Sequence, residues 1–219
     1  KVEEHAKEIL AMGINTVDSF DIHTQITSLR RSLDESGKAG NAVAIISAGW
    51  DPGSDSVVRA LLEAIAPKGV TYTNFGPGRS MGHTVAAKAI AGVKDAVSMT
   101  IPVGGGVHRR EVYVVLEDGA EKDRVEAMLK ADAYFASDDT EMIVVDTLQD
   151  IDTLKHGVNI VREGVSSNVP NQHVDFNMTI CNPALTAQVM VSCARAAVRM
   201  KQQGRYGTYT MIELPPIAL

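Results

Sequence analysis

The run Ala42-Val43-Ala44-Ile45-Ile46-Ser47 constrains the fold more than any other feature of the 219-residue sequence. Five apolar residues in succession, closed by a serine, form the pattern of a strand buried on both faces, and such strands belong to parallel sheets covered by helices. The flanking sequence agrees. Val2, Ala6, Ile9 and Leu10 fall at helical spacing and the pattern stops at Gly13. Ile14–Phe20 reads as a short strand. Ile22, Ile26, Leu29 and Leu33 mark one face of a second helix, which is expected to end in the link Ser36-Gly37-Lys38-Ala39-Gly40. Helix, strand, helix, strand is the rear half of a doubly wound Rossmann domain. Because Lys1 opens directly on a helical pattern with no capping residue before it, the chain is expected to begin inside that domain.

After Pro52-Gly53 the pattern changes. A helix is expected from Asp55 to Ala66, then strands at Gly69–Asn74, Ala96–Ile101, Glu111–Glu117, Glu141–Asp146, Val158–Glu163 and Val174–Ile180, with helices near His83–Ile90 and Lys122–Lys130. Long strands with few crossovers predict a mixed or antiparallel sheet with helices on one face. In the last of these strands Val174, Phe176, Met178 and Ile180 alternate with Asp175, Asn177 and Thr179, so one face of the sheet is wet or functional. A long helix from Leu185 to Gln203 stops at Gly204, and Tyr206–Leu214 reads as a final strand. The expected class is α/β plus α+β. Residues 1–50 are the C-terminal part of a dinucleotide-binding domain, 51–205 an α+β domain, and 206–219 a strand packed on the second sheet.

Several functions are disfavoured by composition. A net charge of -6 lacks the clustered cations that tracking a phosphate backbone requires, so no nucleic-acid partner is expected. No apolar run approaches the roughly 20 residues of a membrane-spanning helix, and the opening Lys1-Val2-Glu3-Glu4 lacks a signal-peptide core. Cys181 and Cys193 are too few for a disulfide framework, which points to the reducing cytoplasm. The histidines show no metal-ligand spacing, neither cysteine has a nucleophile's setting, and no Gly-x-Ser-x-Gly elbow occurs.

The residues that could carry chemistry gather at strand ends. Gly49-Trp50-Asp51-Pro52-Gly53 follows the buried parallel strand, where open α/β sheets bind ligands, although Asp-Pro-Gly is also an ordinary turn and Trp50 could be a packing residue. Asp21 ends the preceding strand, so Asp21 and Asp51 form a pair of acceptors suited to an ammonium group, unless Asp21 merely caps the helix after it. Asn74-Phe75-Gly76-Pro77-Gly78-Arg79-Ser80-Met81-Gly82-His83 is expected to be a loop exposing N–H groups to a carboxylate, or a plain Gly-Pro turn; it does not match the Rossmann glycine pattern. Gly104-Gly105-Gly106 is expected to turn the backbone near a ligand. Thr100, ending one strand, and Arg110, opening the next, could converge on a carboxylate, the alternative being a solvated charged turn.

Taken in order, Val17-Asp18-Ser19-Phe20-Asp21-Ile22-His23, Ser47 to Gly53, Asn74-Phe75-Gly76-Pro77-Gly78, Ser80-Met81-Gly82-His83, Asn182-Pro183-Ala184-Leu185-Thr186-Ala187 and Arg199-Met200-Lys201-Gln202-Gln203-Gly204 resemble the meso-diaminopimelate dehydrogenases over essentially the whole chain. The resemblance implies a cytoplasmic homodimer, paired through the 51–205 domain, that oxidises the D-centre of meso-2,6-diaminopimelate with NADP to L-2-amino-6-oxopimelate and ammonia, reversibly, in lysine and peptidoglycan-precursor metabolism. It implies that Asp21 and Asp51 are catalytic and hold the reacting amine beside Trp50. The adjacent carboxylate would meet Met81 and Gly82, and the distant L-centre would meet Phe75, Thr100, Arg110, His156 and Asn182. The short connection from Thr100 to Glu111 resembles the branch that is less strict about substrate. The family's glycine-rich cofactor loop has no counterpart here, so the chain alone is expected to hold NADP poorly and to be inactive without that segment. Two other readings remain: a non-catalytic amino-acid-binding or dimerisation module, and another two-domain NAD(P) oxidoreductase.

Overall fold

The computed structural model describes residues 1–149, 151 and 155–219. In chain order the elements are α1 (Val2–Ala11), β1 (Thr16–Val17), α2 (Ile26–Ala39), β2 (Val43–Ile45), α3 (Ser54–Ile65), β3 (Lys68–Arg79), α4 (Met81–Lys88), β4 (Val93–Gly104), β5 (Val107–Leu116), α5 (Lys122–Ala131), β6 (Thr140–Val144), β7 (His156–Ser166), β8 (Val169–Ile180), α6 (Asn182–Gln202) and β9 (Gly207–Tyr209), with short 3-10 turns at His23–Gln25, Met211–Glu213 and Pro216–Ala218. They form two compact units, Lys1–Ile65 with Asn182–Leu219, and Ala66–Cys181.

The first unit is built on a parallel sheet of order β1-β2-β9. Its central strand is covered on both faces, as the apolar run requires. Val43 and Ile45 pack with Cys193, Ala196, Ala197 and Met200 of α6, while Ala42, Ala44 and Ile46 pack with Ala6 and Leu10 of α1 and Leu29 and Leu33 of α2. Three expectations are corrected here. The final strand joins this sheet, not the second one, with Val43, Ala44 and Ile45 beside Gly207, Thr208 and Tyr209. Asp34 Oδ1 fixes it by accepting the Thr208 N–H at 3.0 Å. The supposed link at Ser36–Gly40 is largely the last turn of α2; Gly37 is there because a Cβ would lie 3.0 Å from the Gly207 Cα, so helix and strand backbones touch. Finally, α3, α6 and β9 all belong with the parallel sheet, so the units do not divide at residues 50 and 205.

The second unit carries a mixed six-stranded sheet of order β6-β5-β4-β3-β7-β8, antiparallel except for β5 against β6. Helices α4 and α5 bury one face, where Ala87, Val125, Leu129 and Phe135 meet Val93, Ala96, Val112, Val114 and Met142. The other face carries a polar ladder: Asn74 Nδ2 donates to Asn159 Oδ1, and Asn159 Nδ2 to Asp175 Oδ1 and Asn177 Oδ1. The alternation expected in β8 is seen residue by residue. One strand corrects the sequence reading. Asn74 to Arg79 is not a loop, because β3 runs through the cis Gly76–Pro77 bond and keeps its pairing with β7 across a bulge between Phe75 and Gly78. Likewise Thr100 is not a strand end; β4 continues to Gly104 before the triple-glycine turn.

Candidate active site

The carboxyl edge of the parallel sheet is shaped by a tight turn. After β2, Ser47 adopts a left-handed backbone (φ 55°), and the chain doubles back so that Ser54 N–H donates to Gly49 O at 3.0 Å and Asp55 N–H to Trp50 O at 3.0 Å. Gly53, at φ 145°, closes the turn, since a Cβ there would lie 1.9 Å from Gly49 O. Asp18 clamps this turn to the end of β1. Its Oδ1 accepts the N–H of Phe20 at 3.0 Å and of Ser47 at 3.1 Å, and burial raises its pKa against those two hydrogen bonds.

This turn and β1 supply a cavity of about 190 Å³ lined by Ser19, Asp21, Gly49, Trp50, Asp51, Pro52, Asn182 and Thr186. Asp21, Trp50 and Asp51 thus line one cavity, and Asp21 is exposed at its wall. Asn182 joins them. The resemblance assigned it to the far end of the substrate, but within its own unit it lines the cavity of the two carboxylates, its Oδ1 accepting from Thr186 at 2.9 Å. Asp51 is 13% exposed and forms an ion pair with Arg59 on α3, with His23 Nε2 at 3.8 Å from its other oxygen. Behind it Asp55 is fully buried in the first turn of α3. Burial, together with the negative charge of Asp51, pushes the Asp55 pKa up to about 7 against the pull of Arg59 and a hydrogen bond with Trp50.

The sequence reading missed Asp18, Arg59 and Asp55 as site residues. Asp18 and Asp55 had a signal, standing within or next to quoted motifs on turns around the carboxylate pair. Arg59 had none, since an arginine eight residues from Asp51 looks like any solvated helix charge.

The second group of candidates forms a row across the sheet of the Ala66–Cys181 unit. Backbone register places His156 on β7 beside Gly78 on β3, Gly78 beside Thr100 on β4, and Thr100 beside Arg110 on β5. Directly paired residues project to one face, so the three side chains share it. Gly78 leaves the room: a Cβ there would come within 2.4 Å of the His156 Cα. Arg110, Thr100 and His156 are all buried. Arg110 Nη1 donates to Thr100 Oγ1, and its Nε donates to Asp138 Oδ2 at 2.7 Å, so the guanidinium is paired within its own unit. Burial lowers the pKa of His83, His108 and His156, and the Arg110 charge lowers each further, against Asp138, which raises those of His83 and His108. Phe75 lies on β3, beside Val158 and three residues before Gly78, while Met81 and Gly82 open α4 and are exposed.

For a nicotinamide dinucleotide the residues present fit one end of the molecule. Ser47 Oγ is buried and accepts or donates no hydrogen bond among the described residues. Ser47 also borders a small apolar cavity of about 70 Å³ with Ile26, Pro52, Gly53, Ser56, Thr210, Met211 and Ile212 at the same sheet edge. A hydroxyl beside an apolar slot, at the carboxyl ends of parallel strands, suits a ribose or carboxamide and an aromatic ring. No Gly-x-Gly-x-x-Gly loop for the phosphates occurs in the sequence.

The family model described as "Diaminopimelic acid dehydrogenase C-terminal domain" matches residues 49–109 and 104–181. A meso-diaminopimelate D-dehydrogenase of Bacteroides fragilis is 62% identical over 218 residues, covering 100% of this chain and 72% of the relative. Among solved structures, a Corynebacterium glutamicum diaminopimelate dehydrogenase in complex with diaminopimelate is 31% identical, with TM-score 0.82 over 99% of this chain and 73% of its own. An engineered D-amino acid dehydrogenase bound to NADP+ is 29% identical, with TM-score 0.76 over 100% of this chain and 74% of its own.

Proposed function

The chain belongs to the meso-diaminopimelate D-dehydrogenase family, and from that premise we propose how its two groups of residues divide the work on one substrate. The reaction is the reversible oxidative deamination of the D-centre of meso-2,6-diaminopimelate with a nicotinamide cofactor, yielding L-2-amino-6-oxopimelate and ammonia. When bound, a nicotinamide cofactor would supply the hydride acceptor for oxidation of the D-carbon. We assign it as NADP, the cofactor of the engineered D-amino acid dehydrogenase to which this chain is similar. Ser47 and the apolar slot beside it would hold its nicotinamide end.

Asp21 and Asp51 receive the ammonium of the D-centre, and the carboxylates take up the proton that the amine must lose before its carbon is oxidised. Arg59 holds Asp51 in place and Trp50 closes the cavity wall, limiting water around the charges. The N–H groups at the start of α4, at Met81 and Gly82, meet the carboxylate of the D-centre. Phe75, Thr100, Arg110 and His156 read the distant L-centre, with Arg110 taking its carboxylate. Asn182, which lines the cavity of the two aspartates, contacts the substrate from there.

The observation that carries this reading is the pair of carboxylates that share one cavity of the first unit; in the second unit a buried guanidinium shares a row with Thr100 and His156. The full-length protein should reduce NADP+ with meso-diaminopimelate and release one ammonia per turnover, while the L,L-isomer, which has no D-centre, should give none. Equal rates with the two isomers would overturn the assignment. We also propose a cytoplasmic homodimer acting in lysine biosynthesis, paired through the uncovered sheet face of the Ala66–Cys181 unit. A one-chain mass by light scattering at micromolar concentration would contradict the pairing. No helix among the described residues is long and apolar enough to cross a membrane.

A further inference from the structure

Arg110 is accompanied by a charge that the reaction at the D-centre does not use. Its Nε donates to Asp138 Oδ2 at 2.7 Å, its Nη1 donates to Thr100 Oγ1, and its Nη2 lies 3.1 Å from His108 Nε2. Described residues thus occupy three of the five N–H donors of a guanidinium, leaving capacity for a carboxylate. The Asp138 side chain is 22% exposed against 9% for Arg110, so the anion is the more accessible member of the pair. Its Oδ2 is taken by Arg110 and lies 3.4 Å from His83 Nε2, whereas Oδ1 accepts no hydrogen bond among the described residues.

The surroundings hold Asp138 in register. His83 Nδ1 is 2.9 Å from Ser80 Oγ, and its ring stands edge-on to Tyr134 at 5.4 Å and Phe135 at 5.3 Å. Arg110 and Asp138 set one positive and one negative charge side by side. A lone arginine is matched to a carboxylate, but a fixed plus-minus pair is matched to a zwitterion. The L-centre of meso-diaminopimelate is a zwitterion, with an ammonium and a carboxylate on one carbon.

Resting on the reading that Arg110 takes the far carboxylate, we propose that Asp138 is a second specificity-determining residue, whose free Oδ1 receives the ammonium of the L-centre. Arg110 and Asp138 then read both charges of the far head, which a simple diacid carries only in part.

The test uses the full-length enzyme with NADP+ and three substrates: meso-diaminopimelate, D-2-aminopimelate, which lacks only the far amine, and D-norleucine, which lacks the far head altogether. Asp138→Asn should lower kcat/KM for meso-diaminopimelate about ten- to a hundredfold relative to D-2-aminopimelate, the range of a charged hydrogen bond. Asp138→Glu should restore part of that ratio. If the two diacids lose equally, or if all three substrates are lost together, Asp138 serves Arg110 or the fold and the proposal is wrong. Arg110→Met checks the underlying reading separately: it should lower kcat/KM for both diacids by more than for D-norleucine, and an equal loss on all three would fault the Arg110 assignment, not that of Asp138 alone.

Discussion

Asp51→Asn is expected to lower kcat/KM for meso-diaminopimelate by about a hundred- to ten-thousandfold, the range over which a positioned proton-transfer group contributes. The substitution keeps shape and one acceptor oxygen but removes the charge. Asp51 is 13% exposed and paired with Arg59, which is itself 27% exposed, so little water is available to replace what is lost. An amide can neither hold an ammonium by charge nor take its proton, and the deficit should appear in kcat at saturating substrate as well as in KM. A variant within threefold of the parent would make Asp51 an anchor for Arg59 and nothing more.

Asp55→Asn is expected to stabilise the protein at high pH. Asp55 has an ordinary carboxylate value of 3.8 when unfolded and is raised to about 7 in the fold by burial and by Asp51. The folded state therefore binds its proton more tightly than the unfolded state. This contribution to stability falls as pH rises from about 4 to about 7 and is fully adverse above that. Three units correspond to at most about 4 kcal/mol. Urea unfolding should find Asp55→Asn equal to the parent below pH 4 and more stable than it at pH 8. A variant that is less stable at pH 8 would show that the ionised carboxylate is favourably paired in the fold.

The same physics explains what could be read from the sequence. Ala42–Ile46 announced a covered parallel strand because only burial on both faces tolerates such a run, and the β8 alternation announced an open face for the converse reason. Glycine and proline misled where tertiary packing used them for closeness and not for turning. Gly37 sits inside α2 against Gly207, and Gly76-Pro77 lies within β3. The partner of β9 was not legible, since pairing with β2, some 160 residues earlier, leaves no local mark. In the site, Asp21, Trp50 and Asp51 stood in motifs. Arg59 and Asp138 did not, because a charge becomes functional only through the neighbour that the fold gives it.

The central claim is that one substrate is read at two ends, its D-centre by Asp21 and Asp51 and its L-centre by the row ending in Arg110. The most direct measurement is the ratio of kcat/KM for meso-diaminopimelate to that for D-norleucine in Arg110→Ala. A carboxylate–guanidinium contact is worth roughly 1.5–3 kcal/mol, so the ratio should fall about ten- to a hundredfold. D-norleucine has no far carboxylate to lose, so its own rate should fall less than that for meso-diaminopimelate. Equal losses on both substrates would place Arg110 at the reacting centre or in the fold, and would contradict the division of the substrate between two groups of residues.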